Sequence, residues 1–388
     1  MKKVTLKLTA IVMLLGGTIT VSFAQNNNIN VVSTAVPFLR ISPDARSGGM
    51  GDVGIATTPD ANAAFANIAR TPFATSKGGV AVNYSPWLRD LSINDVFIAS
   101  LAGYYKIDDQ QAISASLRYF KLGNVQFTDQ AGNDLQQYSP KEFAIDLGYS
   151  RKLSKKNSLG IAIRYINSNL AKGTFSGING SVKAGSSVAG DLHFYHHGAK
   201  ENGQGLNWGL TLSNLGSKIS YTSDASQKDY IPANLGLGLA YTKVFDEANK
   251  ITFALDLNKL LVPTPPVLTG TNTSADSAAL AKYRNRGVAS SWIKSFGDGR
   301  NGINEEIQEI NLAVGAEYFY NNQFGFRAGY FYENPNKGNR KYFTVGATLK
   351  YSVAALNFSY LFASGNGVNR NPLSNTYRFG LNFDLAGK

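Results

Sequence analysis

All three histidines of the chain fall in one run, His193-Phe194-Tyr195-His196-His197. Clustered imidazoles invite a metal site, in which each ring nitrogen would approach zinc to about 2.0–2.1 Å. Extended backbone forbids it, because His193 and His197 then stand about 13 Å apart on one face while His196 points to the other. Only a sharp turn at Tyr195 would bring the rings together. Asp191 and His193 share a face with Ala189, as two members of a hydrolytic triad could, but local spacing places no serine beside them. Gly48, Gly49, Gly51 and Gly54 could be taken for a phosphate loop. Met50-Gly51-Asp52 lacks the Gly-Lys-Ser/Thr ending, and no strand-to-helix unit surrounds it. The expectation is therefore no catalytic, cofactor-binding or metal-binding residues, no cofactor, and a chain that is not an enzyme.

What remains for chemistry is recognition. Lysine and arginine number 38 against 26 acidic residues, a formal charge of +12. A basic surplus can serve nucleic acid, yet no basic helix or RNA-binding sheet motif is present, and the aromatics sit in alternating segments rather than among the lysines. Acidic lipopolysaccharide, outer-membrane lipid or acidic secreted partners account for the surplus, so no nucleic-acid partner is expected. Two clusters stand out. Arg151, Lys152, Lys155 and Lys156 form a tight turn that is either solvated or in contact with acidic lipid heads or a periplasmic ring protein. Lys282, Arg284, Arg286, Lys294 and Arg300 surround Trp292 and Phe296, and exposed aromatics with arginine favour a protein partner. Trp292, Phe296, Arg284, Arg286 and Lys294 are the candidate partner-binding residues.

The elements that must position these groups are strands. In 376–385, Tyr377, Phe379, Leu381, Phe383 and Leu385 share one face, and Arg378, Gly380, Asn382 and Asp384 the other. The same alternation predicts strands near 79–85, 95–106, 111–121, 141–151, 157–167, 187–197, 205–214, 232–243, 249–259, 309–320, 322–333, 341–351, 353–363 and 376–385. That is an even number of segments of the length a tilted membrane strand needs. Every second connection is tight (107–110, 152–156, 198–204, 244–248, Asn321-Asn322, Ser352), whereas the others are mostly long (122–140, 168–186, 215–231, 260–308, 364–375). Sorting of loop length by parity is the mark of an up-and-down barrel, with short turns inside the cell and long loops outside. Tyr149, Tyr241, Tyr318 and Tyr351 fall at one end of their strands and Tyr84, Tyr119, Tyr165, Tyr330 and Tyr360 at the other, which predicts two interfacial belts. The fold class expected is all-β, a transmembrane antiparallel barrel of about 14 strands. Asp146, Arg164, Asp256, Glu317, Arg327, Lys350 and Arg378 fall on the inward face, so the lumen should be polar and cross-paired.

Before the strands, residues 1–24 carry Lys2, Lys3 and Lys7, an apolar stretch, and Ser22-Phe23-Ala24 ahead of Gln25. This is the pattern of a cleaved signal peptide. There is no cysteine, hence no lipid-modified cysteine and no disulfide. Residues 25–78 do not alternate; Thr58-Pro59-Asp60 opens a short helix with a cap and proline at the first position. A compact segment of this kind predicts a plug tucked into the barrel of 79–388 from the periplasmic side. The 260–308 loop holds Pro263, Pro265 and Pro266, and its sequence then predicts a second helix over 275–286. An outside loop of this length is usually functional or disordered.

The run Phe38-Leu39-Arg40-Ile41-Ser42-Pro43-Asp44-Ala45-Arg46-Ser47-Gly48-Gly49-Met50-Gly51-Asp52-Val53-Gly54 resembles the PorV/PorQ family, outer-membrane barrels of the type IX secretion system of Bacteroidota. The likeness continues through 61–69 and, more loosely, over the rest of the mature chain. FadL-type barrels of fourteen strands with an N-terminal hatch are the wider relatives. Their hatch has Asn-Pro-Ala where this chain has Asn67-Ile68-Ala69. The resemblance implies a non-enzymatic role in the outer membrane. Such proteins receive folded cargo with a C-terminal secretion domain from the translocon pore, cap that pore's lateral opening, and pass the cargo to the surface attachment complex. The wider likeness implies an alternative, FadL-like transport of hydrophobic small molecules.

Overall fold

The computed structural model describes residues 30–385 except 90–91, 129–130, 175–180, 223–227, 271–272, 365–372 and 374. The expected signal peptide lies outside the described residues.

Fourteen strands form one closed barrel. They are β1 Gly78–Pro86, β2 Val96–Lys106, β3 Gln111–Leu122, β4 Lys141–Lys152, β5 Asn157–Asn169, β6 Gly185–His196 and β7 Gly205–Gly216. The second half comprises β8 Asn234–Val244, β9 Asn249–Leu260, β10 Ile310–Tyr320, β11 Phe324–Tyr332, β12 Lys341–Tyr351, β13 Ala354–Ala363 and β14 Thr376–Leu385. Each pairs antiparallel with its neighbours in sequence, and β1 closes on β14 from Gly78 opposite Leu385 to Tyr84 opposite Phe379. Closure leaves no unpaired edge, the condition for strands in hydrocarbon.

The pleat decides what each side chain meets. Outward residues are long and apolar, such as Leu147, Ile161, Ile163, Phe253, Phe326 and Phe343, all well exposed, as a lipid-facing surface must be. Their inward neighbours Asp146, Arg164, Asp256, Glu317, Arg327 and Arg378 are buried. Exposed tyrosines mark the two ends of the apolar band, Tyr84, Tyr165 and Tyr377 toward the loops and Tyr105, Tyr241, Tyr320 and Tyr351 toward the turns. Tight turns have local causes. Asn321 and Asn322 both adopt positive φ (51° and 53°), and the Gln323 amide donates to the Tyr320 carbonyl at 3.0 Å. This is the primed turn whose twist matches antiparallel strands, and asparagine tolerates its left-handed backbone.

The long connections are more structured than their sequence suggests. Within 122–140, Val125–Thr128 pairs with Asp134–Tyr138, and within 168–186, Gly173–Thr174 pairs with Ser181–Val182. Neither hairpin joins the barrel sheet.

Among the described residues, helices occur only off the wall. Ala45–Gly48 (α1) lies in the N-terminal segment; Thr273–Asn285 (α2), Val288–Lys294 (α3) and Ile303–Gln308 (α4) lie in the long loop. The pattern over 275–286 predicts only α2. The other two span 7 and 6 residues, too few turns to leave a periodic signature. Among the described residues no helix is long and apolar enough to cross a membrane.

The N-terminal segment is built from short capped turns. The Asp44 carboxylate accepts from the Arg46 and Ser47 amides at 2.8 and 3.0 Å and starts α1. Asp60 accepts from the Asn62 amide at 2.9 Å and starts a 3-10 turn over Ala61–Phe65. The cap expected at Thr58 therefore sits two residues later, with Pro59 outside the turn. Thr58 is occupied elsewhere, since its carbonyl and hydroxyl both accept from Arg46. A further 3-10 turn, Ile68–Phe73, is capped by Asn67.

Candidate functional site

Two regions bring functional groups together: the contact between the N-terminal segment and the inner wall, and the long loop beside β8 to β10.

The segment's path is fixed at both ends. The Asn30 amide donates to the Asn336 carbonyl at 3.2 Å and the Ala35 amide to the Tyr230 carbonyl at 2.9 Å, both in long connections. Val32 packs with Tyr230, Leu260 and Val262 there. At its other end the Ala74 carbonyl accepts from Lys106 and Phe73 stacks on His197 with ring centroids 4.9 Å apart, both beside the short turns. The chain thus passes through the barrel from the loop rim to the turn rim before β1 begins.

Charged and backbone groups pin this passage. Glu317 on β10 accepts from Arg46 at 2.7 and 2.9 Å and from Arg327 at 2.6 Å. Arg46 also pairs with Asp60 at 2.8 Å. Burial of the Arg46 guanidinium is compensated by both carboxylates. Arg378 pairs with Asp52 at 2.7 Å, and the Tyr342 hydroxyl donates to the same carboxylate at 2.5 Å. Asp256 accepts from the Gly54 and Ile55 amides at 2.7 and 2.9 Å, a small anion nest closed by a strand carboxylate. The Gly51 amide donates to Thr344 at 2.8 Å. Near the loop rim, Arg40 and Arg340 both donate to Glu333. Burial alone would raise the Glu333 carboxyl, and the two guanidinium groups hold it below its ordinary value.

Steric fit matters as much as charge. A Cβ on Gly329 would lie 2.1 Å from the Met50 carbonyl carbon, and one on Gly315 2.4 Å from the Met50 oxygen. Gly51 has φ +70° and its position would drive a side chain into the backbone of Tyr330. The wall is bare where the segment presses on it.

The lumen is polar and cross-paired, as its inward residues suggest, though Asp256, Glu317 and Arg378 also pair with the segment. Arg164 bridges Asp146 and Asp191, and Lys350 pairs with Asp384 at 2.6 Å. A remaining cavity of about 170 Å³ is lined by Arg40, Arg118 and Arg340 as well as Asp44, Asp52 and Asp256. That lining suits water better than a hydrocarbon.

The histidine run stays dispersed. His193 lies 3.7 Å from Asp191, and Arg164 engages the same carboxylate at 3.0 Å. His196 stacks on Trp208 and shares a hydrogen bond with Asn157. Among the described residues no group of three or more potential ligands could hold a metal. In the basic turn, Lys152 sits 4.7 Å above the Phe73 ring, tying the turn to the segment, while Arg151, Lys155 and Lys156 are exposed.

In the long loop the five candidate residues separate into two groups. The main-chain carbonyls of Arg284 and Arg286 both accept from Lys218 at 2.6 Å, and the Arg286 side chain pairs with Asp298 at 3.2 Å. Burial raises the Asp298 carboxyl against the hydrogen bonds of Thr264. Trp292 is half-buried on α3, whereas Lys294 and Phe296 are exposed, and Phe296 faces the barrel wall. Sequence reasoning missed the loop's anchor. Lys259, an outward position on β9, is buried and pairs with Glu306 and Glu309 at 2.9 and 2.6 Å; Lys337 pairs with Glu305 and Glu309 at 2.7 and 2.9 Å. A lysine at a lipid-facing register position was the available signal.

The fold has solved counterparts. The toluene transporter TbuX of Ralstonia pickettii matches at TM-score 0.53 and 12% identity, covering 89% of this chain and 98% of that one. A mutant of the monoaromatic hydrocarbon channel TodX matches at TM-score 0.50 and 13% identity, covering 87% and 96%. At such identities the likeness establishes the barrel architecture. None of the curated proteins compared matches the chain. The model of the family described as "Type IX secretion system protein PorV" matches residues 23–267, well over half of the sequence, and includes the run in which Asp44 caps α1 and Arg46 binds Glu317. The chain is an outer-membrane barrel and belongs to the PorV family.

Proposed function

We propose that the chain acts in type IX secretion as a binding and shuttle barrel. It would take cargo bearing a C-terminal secretion domain at the translocon pore and pass it to the surface attachment complex. Residues 25–78 serve as the plug, and the loops 122–140, 168–186, 215–231 and 260–308 form the contact surface. The observation that carries this reading is the lumen crossed from rim to rim by a segment pinned through buried Arg46, Glu317, Asp52 and Arg378, beside a long folded loop outside. A protein so filled works on its outer surface. Family membership supports the secretion context. Trp292, Phe296, Arg284, Arg286 and Lys294 are the residues proposed to meet a partner.

A second reading is transport of a hydrophobic small molecule. The barrel shared with a toluene transporter and a hydrocarbon channel favours it, as does an apolar recess on the outer wall beside Phe296. One variant separates the two. Replacing 262–304 with a short Gly-Ser linker spares every strand, and loops tolerate such change. Under the shuttle reading, cargo accumulates in the periplasm or on the translocon while uptake of toluene-like compounds is unchanged. Normal surface delivery with reduced uptake would overturn it in favour of transport.

A further inference from the structure

The recess beside Phe296 has a shape and surroundings that its place on the wall explains. Leu235, Leu237 and Leu257 belong to β8 and β9 and sit at outward positions, so they form its floor from the lipid-facing band. Phe296 and Ile307 from the loop, with Ile310 at the start of β10, form its sides. The space is about 270 Å³ and its lining is nearly all apolar. Asn258, Lys259 and Glu306 also line it, and Lys259 is neutralised by Glu306 and Glu309, which fixes α4 against the wall. The loop is therefore held by ion pairs at a defined distance from the strands, with an open slot between.

The loop's own surface continues the apolar band. Ile293, Phe296, Ile303 and Ile307 are exposed at 78%, 52%, 76% and 61%. Ile293 with Phe296, and Ile303 with Ile307, stand three and four residues apart on or beside short helices, the spacing that places them on one face. In water such a patch would be a liability. At the edge of a lipid-facing wall it is the expected surface of a segment lying in the outer leaflet. Exposed Lys294 and Arg300 flank the patch and would meet an anionic headgroup.

We infer that this groove holds one acyl chain of an anionic outer-leaflet lipid, with the long loop as its clamp. The inference stands independently of the secretion reading, because it uses only the wall, the loop and the continuity of the groove with the lipid-facing band. Moving a methylene from water into such a slot is favourable, but the neighbouring bilayer offers the same environment. Retention must therefore come from confinement and from the headgroup, and it should be visible only once bulk lipid is removed.

The test is native mass spectrometry of the full chain, purified in mild detergent, exchanged to remove bulk lipid and titrated with lipid A. The unmodified protein should retain one lipid A at a detergent-exchange level that strips other species. Leu237→Trp, which fills the slot, and Ile307→Glu, which charges its side, should each lower retention at least tenfold. Ile161→Trp, at an outward position on β5, should retain lipid as the unmodified chain does. Heat-dependent gel mobility checks that all three variants still form the barrel, and a second filler, Leu257→Phe, replaces any that does not. Equal retention by filled and unfilled forms, or no retained lipid A in the unmodified chain, overturns the inference. Displacement by a hydrophobic peptide but not by lipid A would also overturn it, in favour of a protein occupant.

Discussion

Arg46 and Glu317 stand 271 residues apart in sequence and make a two-point guanidinium–carboxylate contact inside the barrel, at 2.7 and 2.9 Å. The pair joins the segment that precedes all strands to the tenth strand. Its second partner, Arg327, keeps Glu317 compensated if Arg46 is lost.

Arg46→Ala should therefore destabilise the segment's seating by about 3 kcal/mol, the lower end for breaking one partner of a buried pair. Glu317→Ala leaves two buried guanidinium groups facing each other and should cost more. Limited proteolysis in detergent reports the outcome as faster cleavage within 30–70, with the strands still protected. Equal cleavage in all three proteins would refute the anchoring role.

Gly329→Val tests the steric half of the same contact. The added side chain collides with Met50 backbone rather than with a mobile tip, so relaxation requires moving the segment. Overpacking of this kind costs about 1–3 kcal/mol. The expected result is an inserted barrel with raised permeability to small antibiotics, measured by growth inhibition. Removing residues 26–70 should raise permeability further for the same reason.

The Arg40, Arg340 and Glu333 cluster at the loop rim gives a pH dependence. The Glu333 carboxyl lies below its ordinary value of 4.5 when folded, so ionised Glu333 stabilises the folded rim. That contribution is complete above about pH 5 and is lost as pH falls through the folded pKa, below 4.5. Hydrogen exchange of 333–340 should be flat between pH 5 and 7 after correction for intrinsic rates and should rise below pH 4.5. Glu333→Gln should abolish that step.

Deleting 377–388 removes all but the first residue of β14 and should abolish assembly, because β1 and β13 would both present open edges to lipid. Boiled and unboiled samples of the intact chain should migrate differently on detergent gels, and those of the truncation should not. Normal insertion of the truncated chain would sink the closing role of this strand.

Much of the wall was legible because a barrel strand writes its environment into every second residue. Phe253, Leu255 and Leu257 face lipid while Thr252, Ala254 and Asp256 do not, and no other arrangement satisfies both solvents. The segment inside was harder to read, since its turns are held by single caps such as Asp44 and Asp60 and by partners hundreds of residues away. Gly315 and Gly329 look like ordinary weak strand positions until Met50 is placed against them. Lys259 reads as an error on a lipid-facing surface until α4 supplies its carboxylates. Isolated long-range pairs leave no periodic trace, and that is where sequence reasoning stopped.

The passage of the N-terminal segment from one rim to the other has a consequence for biogenesis. A finished cylinder with its seam at β1 and β14 has no lateral entrance for a chain already attached to β1. Seating the segment while the sheet is still open would let the wall curl around it and the seam close last. Residues 30–77 then work as a mandrel during insertion, with the Arg46 ion pair to β10 made before β14 brings Arg378 to Asp52 at the seam. Variants that weaken those pairs should slow the appearance of the heat-resistant form in a refolding time course, even where the barrel eventually formed is indistinguishable.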